Sequence, residues 1–221
     1  MVRVPAGART RQTMKYEREI AEFVEVGRTL YDRGYATGSA GNMSVLLPDG
    51  NILATPTGSC MGRLDPETLS VLTRDGTLVA GAKATKEVLF HMALYDNNPD
   101  IRAVVHLHCC YCTALSCLKD LDEKSVIRPF TPYVVMRMGE IPLVPYHKPG
   151  SPLLAEDLGK VAPGHLAFLM ANHGMIACGK DLTSAVNNAE ELEATARLYF
   201  VLANDRDRIR YLTEEETREL R

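Results

Sequence analysis

Two histidines on one face of an apolar strand constrain the rest of the chain. In Arg102-Ala103-Val104-Val105-His106-Leu107-His108, the rings close an otherwise aliphatic run. Side chains two apart on a strand share a face. Both imidazoles therefore leave the same side of a segment built for burial. An unpaired polar ring in an apolar layer costs about 1–3 kcal/mol. Either each ring is hydrogen-bonded to backbone, or the pair is half of a metal site, since neutral imidazole is the commonest metal ligand. The second reading needs further ligands elsewhere.

Length and charge narrow the class. A chain of 221 residues that is 46% hydrophobic can bury one substantial core. A formal net charge of −3, with no basic block, disfavours nucleic-acid binding through phosphates. No apolar run reaches the ~18–20 residues of a membrane span. Residues 1–13 carry Arg3, Arg9 and Arg11 with no apolar segment behind them, unlike a secretory signal. They are expected to be a disordered extension ahead of one domain over residues 14–221, with Met14 a second candidate start. Of six cysteines, four fall between Cys109 and Cys117. Cys109 and Cys112 have CxxC spacing without a second such pair, so they are expected to pack as small apolar residues rather than hold zinc. Unpaired cysteines and no signal peptide imply a reducing cytoplasm.

The periodicities predict an α/β chain with a mainly antiparallel sheet and helices on its faces. Residues 17–33 have helical spacing and stop at Gly34. Residues 43–55 read as a hairpin around Pro48-Asp49-Gly50-Asn51, and residues 69–72 and 77–79 as another turned at Asp75-Gly76. Asp65-Pro66-Glu67 reads as a short helix or turn. A helix is predicted from an N-cap at Thr85 to about Tyr95, and a second over 111–118. Residues 134–138 and 141–144 read as strands, 153–161 as a helix, and 165–170 and 175–178 as strands. Asp181 is expected to cap a long helix with the stripe Leu182, Ala185, Val186, Ala189, Leu192, Ala196, Tyr199 and Phe200. Residues 214–221 are expected to fray.

Several loops carry candidate chemistry. Gly38-Ser39-Ala40-Gly41-Asn42 and Thr55-Pro56-Thr57-Gly58-Ser59 are rich in glycine and hydroxyls, a composition that lets amides approach an anion, although the first lacks the spacing of a Walker A or dinucleotide fingerprint. The helix start at Thr85 favours a phosphate or carboxylate, and Lys86 adds a point charge. Glu87 in the first turn complements the helix dipole. His173, held between Asn172 and Gly174 in a tight turn, is placed to be a third ligand.

Five motifs in order resemble the class II aldolase/adducin family over about residues 15–205: Gly38-Ser39-Ala40-Gly41-Asn42-Met43-Ser44, Thr55-Pro56-Thr57-Gly58, Thr85-Lys86-Glu87, His106-Leu107-His108 and Ala171-Asn172-His173-Gly174. The resemblance implies a three-layer α/β/α fold around a central antiparallel sheet, and a homotetramer with sites between subunits. It implies that His106, His108 and His173 ligate a divalent metal, usually zinc, with manganese or cobalt also accepted. It makes Glu87 the acid/base carboxylate, which also ligates metal when no substrate is bound. It assigns Asn42, Thr57, Gly58, Thr85 and Lys86 to phosphate binding, with Ser39 and Tyr133 as further substrate candidates beside Arg137 and Tyr146.

Softer text is similar to the 3-oxo-tetronate 4-phosphate decarboxylase branch: Gly62-Arg63-Leu64-Asp65, Ala84-Thr85-Lys86-Glu87-Val88, Ala114-Leu115-Ser116-Cys117-Leu118, and Thr131-Pro132-Tyr133 followed by Pro142-Leu143-Val144-Pro145-Tyr146. Lys86 stands where fuculose-phosphate aldolases have a small hydroxyl residue, and suits an extra negative charge such as a substrate carboxylate. The resemblance thus implies loss of carbon dioxide from a phosphorylated four-carbon sugar acid, through a metal-stabilised enediolate, to give dihydroxyacetone phosphate. An aldolase, epimerase or dehydratase of the same family shares the metal chemistry, and an adducin-like interaction module shares the fold. The intact Glu87, His106, His108 and His173 argue against the module.

Overall fold

A computed structural model describes residues 15–221, so the expected extension over residues 1–13 lies outside the described residues. The chain runs α1 (Glu17–Asp32), β1 (Asn42–Leu46), β2 (Ile52–Ala54), β3 (Ser70–Leu72), β4 (Leu78–Ala80), α2 (Val88–Asn97), β5 (Ala103–Leu107), α3 (Cys110–Ser116), α4 (Pro132–Arg137), β6 (Leu143–Val144), α5 (Pro152–Val161), β7 (Ala167–Met170), β8 (Gly174–Gly179), α6 (Leu182–Val201) and α7 (Glu214–Glu219). One eight-stranded sheet has the order β4-β3-β2-β1-β5-β8-β7-β6. Every pairing is antiparallel except that of β6 with β7.

Alternation along the strands divides the core in two. Met43, Val105 and Leu107 face a layer that contains Phe23 and Leu30 of α1, Leu115 of α3 and Leu192 of α6. Val104, Phe168 and Ile176 face Phe90 and Leu94 of α2 and Leu154 and Leu158 of α5. This is the expected three-layer α/β/α arrangement. The alanines 185, 189 and 196 bring α6 close against the sheet, and Asp181 with Ser184 forms a capping box at its start.

Three element predictions are corrected. Residues 134–138 are not a strand, because Pro132 at the first helical positions starts α4. Val134, Val135 and Met138 are buried while Tyr133 and Met136 face outward, a one-sided helical spacing that the β-branched pair obscured. The strand expected over 141–144 shrinks to Leu143–Val144. The C-terminal residues form α7, started by a capping box between Thr213 and Glu216 and tied back by an ion pair from Arg221 to Glu140.

Candidate active site

β5 lies at the centre of the sheet between β1 and β8, with Asn42 opposite His106 on one side and Met175 opposite Leu107 on the other. Two glycines make this packing possible. A Cβ on Gly41, whose φ is +83°, would meet the His106 carbonyl oxygen at 2.9 Å. A Cβ on Gly174 would stand 2.6 Å from the Leu107 carbonyl oxygen. His108 follows the end of β5. His173 sits in the turn between β7 and β8, where Asn172 takes a left-handed φ of +55° and donates its amide to the Ser116 carbonyl.

The three rings form a nearly equilateral triangle, with centroids 4.7, 5.0 and 4.9 Å apart. His106 Nδ1 is 2.8 Å from the Met175 carbonyl oxygen. A carbonyl only accepts, so Nδ1 carries the ring hydrogen and Nε2 presents a bare lone pair to the centre. That Nε2 lies 2.9 Å from His108 Nε2. Two ring nitrogens so close need a proton or a cation between them. Burial pushes the His106 pKa down to about 4 and also lowers that of His108, so both rings are neutral ligands at pH 7. The ligand atoms of the three histidines lie within 4.8 Å of one another. This donor set fits a divalent metal.

Glu87 closes the triangle. Its Oε1 is 3.3 Å from His173 Nε2 and its Oε2 is 3.4 Å from His106 Nε2. Oε2 also accepts from Asn42 Nδ2 at 2.7 Å. Burial pushes the Glu87 pKa up, but the His173 hydrogen bond, the neighbouring His106 ring and the Asn42 amide together bring it well below the ordinary carboxylate range. Glu87 immediately precedes α2, which starts at Val88 rather than at Thr85. Thr85 does not occupy the cap position; its hydroxyl accepts the Glu87 amide in the preceding turn.

Beside the histidine triangle, and sharing His108 and Glu87 with it, is a cleft of about 230 Å³ lined by Ser39–Asn42, Pro56–Ser59, Thr85–Glu87, His108 and Pro149. It gathers Ser39, Asn42, Thr57, Gly58, Thr85, Lys86 and Glu87 from three separate loops. The bridge between Pro56 and Ala84 staples two of those loops together. It also changes the expected anion chemistry: the Thr57 and Thr85 amides donate to the Lys83 and Thr55 carbonyls and cannot serve a ligand. The Thr85 hydroxyl keeps its own proton as a donor, and Lys86 supplies charge. Ser59 and Pro149 line the cleft without having been singled out, although Ser59 continues the hydroxyl pattern of its loop. Tyr133, Arg137 and Tyr146 are not among the lining residues, and both tyrosines are exposed on the surface.

A larger cleft of about 620 Å³ near β6 is lined by Pro142, Leu143 and Val161 among others, and contains none of the three converging histidines. A second metal-capable group, Cys109, Cys112 and Glu193, is already satisfied. The Glu193 carboxylate accepts the Tyr111 and Cys112 amides, each at 2.8 Å. Burial raises the Cys112 thiol well above its ordinary range. The six cysteines are unpaired, and Cys109, Cys112 and Cys178 are buried in the core. Among the described residues no helix is long and apolar enough to cross a membrane.

Comparison with known proteins agrees with this geometry. A family model described as the class II aldolase and adducin N-terminal domain matches residues 21–200. The chain is 60% identical over 200 residues to the 3-oxo-tetronate 4-phosphate decarboxylase of Escherichia coli K12, covering 90% of the chain and 93% of that protein. It is 37% identical over 187 residues to an L-fuculose phosphate aldolase of Methanococcus maripaludis, covering 84% of the chain and 98% of that protein. The crystal structure of YgbL from Escherichia coli superposes with a TM-score of 0.91 at 56% identity, over 94% of this chain and 99% of that one.

Proposed function

We propose, since the chain belongs to the class II aldolase and adducin N-terminal domain family, that it is a decarboxylase converting 3-oxo-tetronate 4-phosphate to dihydroxyacetone phosphate and carbon dioxide. The observation that carries this reading is the convergence of three histidines and one carboxylate beside a cleft lined with hydroxyls and a lysine. The much higher identity to the decarboxylase than to the aldolase supports carbon dioxide, rather than an aldehyde, as the group that leaves.

The substrate is a 3-oxo acid. Its C1–C2 bond breaks, carbon dioxide departs, and the electron pair passes from C2 toward the C3 carbonyl. A proton added at C2 completes the hydroxymethyl group of the product. His106, His108 and His173 would hold the divalent metal, zinc in our reading, with Glu87 as a further ligand when no substrate is bound. Bound there, the metal supplies a Lewis acid for the charge that develops on the substrate oxygens. The chain's own residues do the rest. Lys86 and the hydroxyls of Ser39, Thr57 and Thr85, with Asn42 and Gly58, hold the phosphate and fix the reacting carbons beside Glu87. Glu87 is ionised in the free cleft, so it takes up a proton from water before delivering it to C2.

The test is direct. The purified protein, incubated with 3-oxo-tetronate 4-phosphate, is expected to release dihydroxyacetone phosphate and carbon dioxide in equal amounts. It is also expected to lose activity on chelation and regain it with zinc. Cleavage of fuculose phosphate without turnover of the oxo acid would assign it to the aldolases instead.

Two further properties belong to the same proposal. Six unpaired thiols suit a cytoplasmic enzyme. Exposed Tyr133 and Met136 on α4, with exposed Leu198 and Val201 on α6, offer apolar surface for a homotetramer with sites between subunits. A native mass four times that of the chain is expected by light scattering; a monomer would remove the inter-subunit site.

A further inference from the structure

Behind Glu87 lies a row of buried polar groups that the reaction does not itself require. His91 is fully buried on α2, and its Nε2 is 2.6 Å from Asn42 Oδ1. Its Nδ1 is 2.7 Å from Ser44 Oγ, which in turn is 2.6 Å from the Tyr95 hydroxyl. Ser44 and Tyr95 are buried as well. The spacing explains the contact. Asn42 and Ser44 share one face of β1, and Glu87, His91 and Tyr95 recur every four residues from the start of α2. The two sets interdigitate.

The hydrogen-bond directions are forced from one end. An ionised carboxylate only accepts, so Asn42 must turn its Nδ2 toward Glu87 and its Oδ1 toward His91. Asn42 Oδ1 only accepts, so His91 carries its hydrogen on Nε2. His91 Nδ1 is then bare and takes the Ser44 hydroxyl proton, which leaves the Ser44 oxygen to accept from Tyr95. Burial pushes the His91 pKa down to about 3, so the ring is neutral and the tautomer is defined. Every hydrogen bond points the same way and the row ends on Glu87. The opposite tautomer would turn the Asn42 amide over and set its oxygen against the Glu87 carboxylate.

We propose that His91 is a positioning residue for the reaction: through its Nε2–H tautomer, fixed by Ser44 and Tyr95, it orients the Asn42 amide that holds Glu87. This rests on the reading of Glu87 as the group that protonates C2. His91, Ser44 and Tyr95 sit in the layer that holds Phe90, Leu94 and Val104, where a wholly apolar set of matched shape is commonly neutral or stabilising, so stability alone does not account for a hydrogen-bonded row there. The second hydrogen on Asn42 Nδ2 remains for the cleft, which Asn42 also lines, so one amide serves both the carboxylate and a bound phosphate.

The experiment compares His91→Leu with His91→Gln in the metal-loaded protein. A glutamine amide returns a donor near the Nε2 position, whereas leucine does not. His91→Leu is expected to lower kcat by about 10–100-fold, with metal content within two-fold of the wild type and a smaller rise in KM, because Lys86 and the hydroxyls of Ser39, Thr57 and Thr85 still face the phosphate. His91→Gln is expected to recover most of that loss. Histidine-selective 15N NMR of the wild type should show His91 as the neutral Nε2–H tautomer, and Tyr95→Phe should weaken that preference. Unchanged kcat in His91→Leu, equal losses in the leucine and glutamine variants, or an Nδ1–H ring would each overturn the proposal. If His91→Leu does not fold, the tautomer alone decides. Because the NMR measurement uses no substrate, failure of the proposed reaction and failure of the positioning row are distinguishable.

Discussion

Replacing His106 by alanine is expected to strip the metal and lower turnover at least about a thousand-fold. A Lewis acid contributes several kcal/mol to the transition state, and about 4 kcal/mol corresponds to that factor. The ring has no solvent exposure and its tautomer is fixed by the Met175 carbonyl, so no neighbour can take its place without moving β5 or β8. Metal analysis and activity report the loss. A His106→Ala protein that retains stoichiometric metal and activity would remove this residue from the ligand set.

A pH measurement on chelated protein isolates the ring's electrostatic contribution. The folded-state pKa of about 4 lies below the ordinary 6.5. As pH falls below about 6.5 the unfolded chain binds the proton first, so stability is full above that value and is lost toward pH 4. His91, held at about 3, acts in the same direction. The melting temperature of chelated wild-type protein should therefore fall through this window. His106→Ala should show a shallower fall, because one of the three histidines with a lowered pKa, His91, His106 and His108, is gone.

The convergence of the three histidines could be anticipated because each of them announces itself locally. His106 and His108 share a face through strand period alone, and His173 is marked by the turn that holds it. Glu87 and the hydroxyl loops needed the resemblance, since a glutamate in a first helical turn is otherwise explained by the dipole. The positioning row was harder to foresee. Its pairs are separated by 45–51 residues in the chain and depend on how α2 crosses β1. A partial signal did exist: Glu87, His91 and Tyr95 repeat at helical spacing, and Asn42 and Ser44 at strand spacing. What no local pattern supplied was that these two faces meet.

The misread elements have a common cause. Val134 and Val135 favour strand by propensity, but Pro132 and the burial of Val134, Val135 and Met138 on one side decide for helix. Charge alone predicts that residues 214–221 fray, whereas Thr213 and Glu216 satisfy each other's backbone donors and start a helix despite it. Tyr133, a substrate candidate by its place in Thr131-Pro132-Tyr133, stands exposed on α4, outside the lining of the cleft. Capping and one-sided burial outweighed composition in the two misread segments.

Replacing Glu87 by glutamine should separate proton transfer from metal binding. The amide keeps the shape of the carboxylate, and its oxygen can still accept from Asn42, so the three-histidine set should retain its metal. The proton carrier is lost, and general acid–base catalysis is commonly worth about 10²–10⁴-fold. Turnover of 3-oxo-tetronate 4-phosphate is expected to fall within that range while metal content stays near one per chain. The product reports the mechanism more sharply than the rate. C2 of the substrate becomes a prochiral hydroxymethyl carbon. In heavy water, wild-type enzyme should place deuterium on one face only, because Glu87 approaches from one side. Residual product from Glu87→Gln should carry it on both faces, since solvent then protonates the released carbanion equivalent. Single-face labelling by the variant, or activity above a tenth of the wild type, would move the proton-delivering role to another group in the cleft.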